Sequence, residues 1–117
     1  MKNIDYTTGD LISPWADVKF DVHDIPFEEN VYDVVVCNHV LEHVEDDHKV
    51  MTEFYRIMKP GGWGIFQVPI DNNNPNTEED NSVTDPKERE RLYGQDDHVR
   101  QYGLDYGRRL TAVNLLP

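Results

Sequence analysis

A chain of 117 residues, with 23 acidic against 11 basic side chains and a net charge of −12, has room for one modest domain. That balance argues against binding nucleic acid through its phosphates and against docking on anionic membranes. No secretory or spanning segment is expected, and Cys37, the single cysteine, has no internal disulfide partner, which fits a reducing, cytoplasmic setting.

In chain order, residues 3–7 read as a short strand ended by Gly9-Asp10. A connector at 11–17, with Pro14 and Trp15, leads to a second short strand at 18–20 that ends at Asp21. Residues 22–30 carry Pro26 and a charged tip, Glu28-Glu29-Asn30. No full helix fits between these first strands, which is unusual for parallel pairing. Residues 34–37 are almost uniformly apolar and β-branched. That run predicts a strand buried on both faces of a parallel sheet. Val50, Met51, Phe54, Tyr55 and Met58 recur at helical spacing as one apolar stripe. Asp46 and Asp47 can cap its start, and Pro60 with Gly61-Gly62 can stop it. Residues 63–68 then read as the next strand, so 31–69 form a βαβ unit. In such sheets ligands bind at the carboxyl ends of strands, here Cys37-Asn38-His39.

After Pro69 the pattern changes. Residues 71–84 are polar and Asn-rich and read as a surface loop or a disordered excursion. Asp85-Pro86-Lys87-Glu88 predicts a helix start with Asp85 at the cap and Glu88 closing a capping box. Gly94 ends that helix, residues 95–103 read as a loop, and Asp105 caps a last helix through Ala112. No internal repeat is visible.

Several side chains could carry chemistry. Asp10, just past a strand, could accept from a ribose diol, or be an ordinary turn aspartate after glycine. Asp21 could accept from an adenine amino group while the N–H of Val22 donates to a ring nitrogen; a plain loop aspartate is the alternative. His39-Val40-Leu41-Glu42-His43 matches H-x-x-E-H, an inverted zinc-hydrolase pattern. On one helical face His39 and His43 could chelate zinc with Glu42 as base, Glu78, Glu79 or Glu88 giving a third ligand. Cys37 could be a nucleophile only with a histidine base in reach; a buried small hydrophobe is its plainer role. His98, Arg100 and Tyr102 form a late polar cluster of the kind that covers a site or is simply solvated.

Taken together, residues 21–27, 32–36, 39–44 and 56–62 resemble the class I S-adenosylmethionine-dependent methyltransferases, specifically the broad type 11 group. The family pattern runs from an acid through Leu-Pro-Phe, a Tyr-Asp strand and a Leu-Glu-His-Val turn to Arg-x-Leu-Lys-Pro-Gly-Gly. Its order and gaps match over about residues 5–70, and residues 95–106 are similar to the substrate-side region of one subgroup. The resemblance implies an α/β, partial Rossmann-like methyltransferase fold, a mainly parallel sheet with flanking helices. Residues 1–70 would form the core, the second to fifth strands of the family sheet, and 71–117 a polar loop with substrate-side helices. It further implies S-adenosyl-L-methionine as cofactor and a small-molecule methyl acceptor. Asp10 would hold the cofactor's ribose, Leu11 pack on its adenine, Asp21 and Val22 read the adenine edge, and Asn38 and His39 lie by the methionine part. His43, His98, Arg100 and Tyr102 would face the acceptor. No residue is assigned a catalytic role and none a metal, because in-line methyl displacement asks mainly for alignment and desolvation.

One departure is large. The family's first strand and glycine-rich loop would precede residue 1, and no G-x-G-x-G occurs in the chain. The family sheet order 3-2-1-4-5-7-6 then lacks its central strand. Either residues 3–7 pair directly with 34–37, or another copy closes the gap, since an uncovered edge favours association. A homodimer, or a partner that completes the sheet, is the expectation. A non-catalytic self-associating remnant of the fold is the alternative, and a zinc hydrolase the third.

Overall fold

The computed structural model describes residues 9–10 and 18–115, with side chains from Phe20 onward. The strand expected at 3–7 and the connector with Leu11 lie outside the described residues. β1 (Gly9–Asp10) and β2 (Val18–Lys19) pair in parallel, Gly9 opposite Val18. β3 (Tyr32–Asn38) pairs in parallel with β4 (Met58–Gln67), and α1 (Asp47–Ile57) connects them. The chain is thus α/β with parallel pairing, built around the βαβ unit. Among the described residues no ladder joins β1 to β3, so the two pairs remain separate sheets.

Asp46 is the N-cap of α1, its carboxylate accepting from Lys49 N at 3.1 Å. The helix buries Val50, Met51, Phe54 and Ile57, a stripe one turn longer than Val50-Met51-Phe54 alone. Tyr55, expected on that stripe, is exposed, and Ile57 takes its place. The Phe54 ring stacks on Phe66 of β4 with centroids 5.6 Å apart. Helix gives way directly to strand at Met58, before the Pro-Gly-Gly expected to stop it. Lys59-Pro60-Gly61-Gly62 instead forms a bulge: Tyr32 faces Met58, yet Val34 faces Trp63. Gly61 adopts φ +81, and a Cβ on Gly62 would sit 2.8 Å from the Asp33 carbonyl oxygen, so only glycine fits the bulge.

Contrary to the reading of β3 as buried on both faces, one face alone is covered. Cys37 and Phe66 turn toward α1, whereas Val34, Val36, Trp63 and Ile65 lie together on the other face and are exposed. Strand side chains alternate, which places these four on one face.

One loop is fastened by an arginine. Arg56 donates to the carbonyl oxygens of Ile25 and Phe27, each at 2.7 Å, while Glu53 accepts from Ile25 N at 2.8 Å. The Ile25-Pro26-Phe27 loop is thereby gripped by the exposed side of α1. The stretch after Asp71 is not an open excursion. β5 (Glu78–Glu79) pairs antiparallel with β6 (Arg100–Gln101), and Ile70 bridges Tyr102. Between them α2 (Pro86–Tyr93) starts at Asp85, which accepts from Lys87 N, and ends at Gly94 in the left-handed region. Glu88 closes no capping box; it pairs with Arg91 at 2.7 Å. α3 (Tyr106–Ala112) has Asp105 at its cap position without a side-chain cap bond. That carboxylate reaches instead to Thr77, accepting from its N at 2.9 Å and its hydroxyl at 2.6 Å.

Candidate functional site

At the carboxyl end of β3 the chain leaves the sheet through His39, which adopts φ +54. A histidine in the left-handed region is uncommon. His39 N donates to Gln67 O at 2.8 Å, anchoring the corner to β4. Residues 41–43 form turns rather than a helix. His39 and His43 therefore do not share a helical face, as the inverted zinc-hydrolase pattern requires. The third ligands proposed for it are engaged elsewhere: Glu78 accepts from Asn74, Glu79 from Arg100 and Arg109, and Glu88 from Arg91.

Of the residues expected around the cofactor, Val22 and Asn38 meet in one groove of about 400 Å³. Phe20, Ile25, Phe27 and Tyr32 add to its apolar wall. The groove runs along β3 toward its carboxyl end, as expected for a ligand site in a parallel sheet. Asp21 faces a neighbouring polar hollow of about 560 Å³ with His23, Glu45, Asp46 and Arg100. Its carboxylate accepts from the N of His23 at 2.9 Å and lies 2.8 Å from Nδ1 of that ring. The backbone bond from His23, joined by the ring, holds Asp21 below the ordinary carboxylate range. His23 Nε2 in turn receives the Asp46 N–H at 3.1 Å, linking the β2 tip to the cap of α1. Asp10 lies in β1 opposite Lys19, its side chain outside the described residues, as is Leu11.

The four residues expected at the acceptor divide into two groups. His43 and His98 pack edge to face with ring centroids 4.6 Å apart, beside the buried Glu42. Arg100 and Tyr102 are enclosed. Arg100 is 2% exposed and donates to the carbonyl oxygens of Leu41, Val44 and Glu45 and to the Glu79 carboxylate. Tyr102 donates its hydroxyl to Asp47 at 2.7 Å, and Arg109 reaches the same oxygen at 2.8 Å. Burial pushes the Asp47 carboxyl up, but the Tyr102 hydroxyl, Arg100 and Arg109 together outweigh it and hold it below the usual range. Burial beside that carboxylate also raises the Tyr102 phenol. Arg100 and Tyr102 thus position the turn at 41–47, with their polar atoms turned inward.

Cys37 is buried, and burial, then Glu42, pushes its thiol up to about 12. It packs as a small hydrophobe and stays a thiol at neutral pH, which removes it as a nucleophile. Arg109 was not singled out in the sequence, and Asp47 and Glu79 were read there only as a helix cap and a candidate zinc ligand. Their only signal for this network is charge, shared with the many solvated acids and bases around them.

A parallel βαβ unit with a groove at the strand ends is the core of a Rossmann-like α/β fold. The methyltransferase-domain family model matches residues 5–66, and the chain belongs to that family. It is 40% identical over 57 residues to the ubiquinone biosynthesis O-methyltransferase of Bordetella pertussis, a stretch covering 44% of this chain and 24% of that protein. It is also 40% identical over 62 residues to a hybrid PKS-NRPS synthetase of Xenoacremonium sinensis, covering 53% of this chain and 2% of the synthetase. Among solved structures, the cyclase SpnF superposes with a TM-score of 0.58 at 17% identity, over 82% of this chain and 32% of SpnF. BH2331 of Bacillus halodurans C-125, named as a candidate methyltransferase, gives 0.57 at 23% identity, over 82% of this chain and 39% of its own. The chain therefore spans a quarter or less of the curated relatives named here, and the solved structures establish the shared fold.

Proposed function

We propose that this chain carries part of an S-adenosylmethionine-dependent methyltransferase that transfers a methyl group to a small-molecule acceptor. The observation that carries the proposal is the groove that brings Val22 and Asn38 together at the carboxyl end of β3, within the stretch the family model matches. Its residues suit an adenosine: an apolar wall from Phe20, Val22 and Phe27 for a flat ring, and an amide from Asn38 at the strand end. When bound, the cofactor supplies a methyl on a sulfonium, open to in-line displacement. The chain's own part is to orient and to exclude water. Asp10 and Leu11 take the ribose and adenine contacts in this assignment, Val22 the adenine edge, Asn38 and His39 the methionine end, and His43 and His98 the acceptor side. A cytoplasmic location agrees with the buried thiol of Cys37; no described helix is long and apolar enough to cross a membrane.

Calorimetry with S-adenosylhomocysteine tests the proposal. Heat that saturates, and that vanishes in Asp10→Ala and Val22→Asp, is the expected result. Absence of heat at millimolar ligand would leave the fold without its cofactor role. A second reading, self-association as a homodimer, is favoured by the apolar face of Val34, Val36, Trp63 and Ile65. Val36 and Trp63 are each 59% exposed there. Sedimentation should then give a dimer that Val36→Lys dissociates; a wild-type monomer at all concentrations removes this reading.

A further inference from the structure

We propose that Glu42, His43 and His98 form a binding site for a zinc-like divalent cation. Glu42 is 2% exposed, and neither of its carboxylate oxygens has a hydrogen-bond partner. A buried carboxylate without a partner is strongly disfavoured. A bound cation would complete it.

The surroundings point to a metal. One ligand atom from each of Glu42, His43 and His98 lies within 4.8 Å of the other two. His43 Nδ1 lies 3.2 Å from the Asp97 carbonyl oxygen and 3.4 Å from its carboxylate. Both are acceptors, so Nδ1 carries the hydrogen and donates. With Nδ1 donating there, Nε2 is the ring atom left for Glu42, and it faces Glu42 Oε1 at 3.4 Å. Two ligand atoms each about 2 Å from one tetrahedral zinc stand at such a separation. An imidazole held from behind by a carbonyl or carboxylate is the usual support of a metal-ligating histidine.

The third ligand is positioned by backbone. Val99 N donates to Glu42 O at 2.9 Å, which ties the residue after His98 to the turn that carries Glu42. His98 is itself buried. His39 Nδ1 lies 3.9 Å from Glu42 Oε1 on a more exposed ring but stands outside the cluster of three, which leaves a fourth position to water. Two imidazoles and one carboxylate suit zinc and its neighbours, whereas magnesium and calcium prefer all-oxygen ligands. In this arrangement Glu42 is a ligand, not a base, and His98 replaces the distant acids proposed from the sequence. The site does not depend on methyl transfer.

The test uses the whole chain, stripped with a chelator and dialysed, then titrated with zinc chloride and, separately, cobalt(II) chloride. One equivalent of zinc should bind by calorimetry, and cobalt should develop ligand-field bands of low-coordinate nitrogen and oxygen ligation. Glu42→Gln and His98→Asn should each weaken zinc about a hundredfold or more. His48→Ala, an exposed histidine of α1, should bind as the wild type does. If wild-type protein takes up no stoichiometric metal, a proton shared by His43 and Glu42 occupies the gap and the site is overturned. Unchanged binding in both Glu42→Gln and His98→Asn, each folded by circular dichroism, overturns it equally, because the metal then sits elsewhere. The wild-type cobalt spectrum decides the matter even where a variant fails to fold.

Discussion

Residues 20–70 and residues 71–115 converge on the same turn at 41–47, but they reach it by different means. α1 lays Val50, Met51, Phe54 and Ile57 against one face of β3 and β4, an apolar contact with almost no polar member. The later segment reaches the turn through Arg100, Tyr102 and Arg109, whose charged and hydroxyl groups converge on Asp47, Glu79 and three carbonyl oxygens. Apolar packing is graded: each methylene removed costs its own area and cavity. A buried polar network behaves as a unit, because deleting one member strands the others. The groove lined by Val22 and Asn38 rests on the first region, while the turn that bears Glu42 and His43 depends on the second.

Arg100→Met should separate the two regions most sharply. It leaves the Leu41, Val44 and Glu45 carbonyls without a guanidinium and the Asp47 and Glu79 carboxylates with Arg109 alone, at a cost of about 3–5 kcal/mol. That is a large share of a small domain's stability, read as a lower urea midpoint. Arg100→Lys should recover only part, since one ammonium cannot span the fork of acceptors. A loss within experimental error for Arg100→Met would show that the later segment docks by other contacts.

Next in size is Phe54→Ala, which removes the ring stacked on Phe66 and should cost about 3 kcal/mol. The loss should be the same at neutral and acid pH, because nothing in that contact titrates. The second region differs here. Asp47 has its pKa lowered by folding, so its contribution is complete above the ordinary carboxylate range and is lost as pH falls through the lowered value. Denaturation followed from neutral pH downward should show wild-type stability falling in that acid window. Asp47→Asn should be less stable at neutral pH and flatter below it. An identical acid slope in wild type and Asp47→Asn would place the proton uptake on other carboxylates.

The first region was legible because its signals are local and redundant. The 50-51-54 stripe, the Asp46 cap and the β-branched run of β3 all pointed the same way. The bulge at Pro60-Gly61-Gly62 was misread as a helix stop, since the same residues serve both purposes and only the pairing of Val34 with Trp63 distinguishes them. The second region was legible only in α2, whose Asp-Pro start and Gly end are local. β5 is two glutamates in a polar stretch; nothing within it favours a strand, and its partner Arg100 lies 21 residues on. Arg100 and Tyr102 were found as a cluster but expected to face the acceptor, because a sequence shows which polar groups are near one another and not which carbonyls they will meet. Glu42 appeared only within the H-x-x-E-H string; its burial comes from the fold.

The smallest effect in the comparison concerns one residue type used twice. Asp46 and Asp105 both precede a helix, and from the sequence both read as caps. Asp46 is one, bonded to Lys49 N within its own helix, so Asp46→Ala should cost about 1 kcal/mol and Asp46→Ser much less. Asp105 makes no cap bond and instead holds Thr77, fastening the start of α3 to the strand that pairs with Arg100. Asp105→Ala should therefore cost a similar amount overall, but Asp105→Ser should not recover it, because a serine hydroxyl is too short to reach Thr77. The two cases separate in hydrogen exchange. The Thr77 amide should open faster in Asp105→Ala and keep its wild-type rate in Asp46→Ala. Equal protection in both variants would mean that β5 is held by Arg100 and Arg109 alone, and that the second region needs no neutral hydrogen bond to dock.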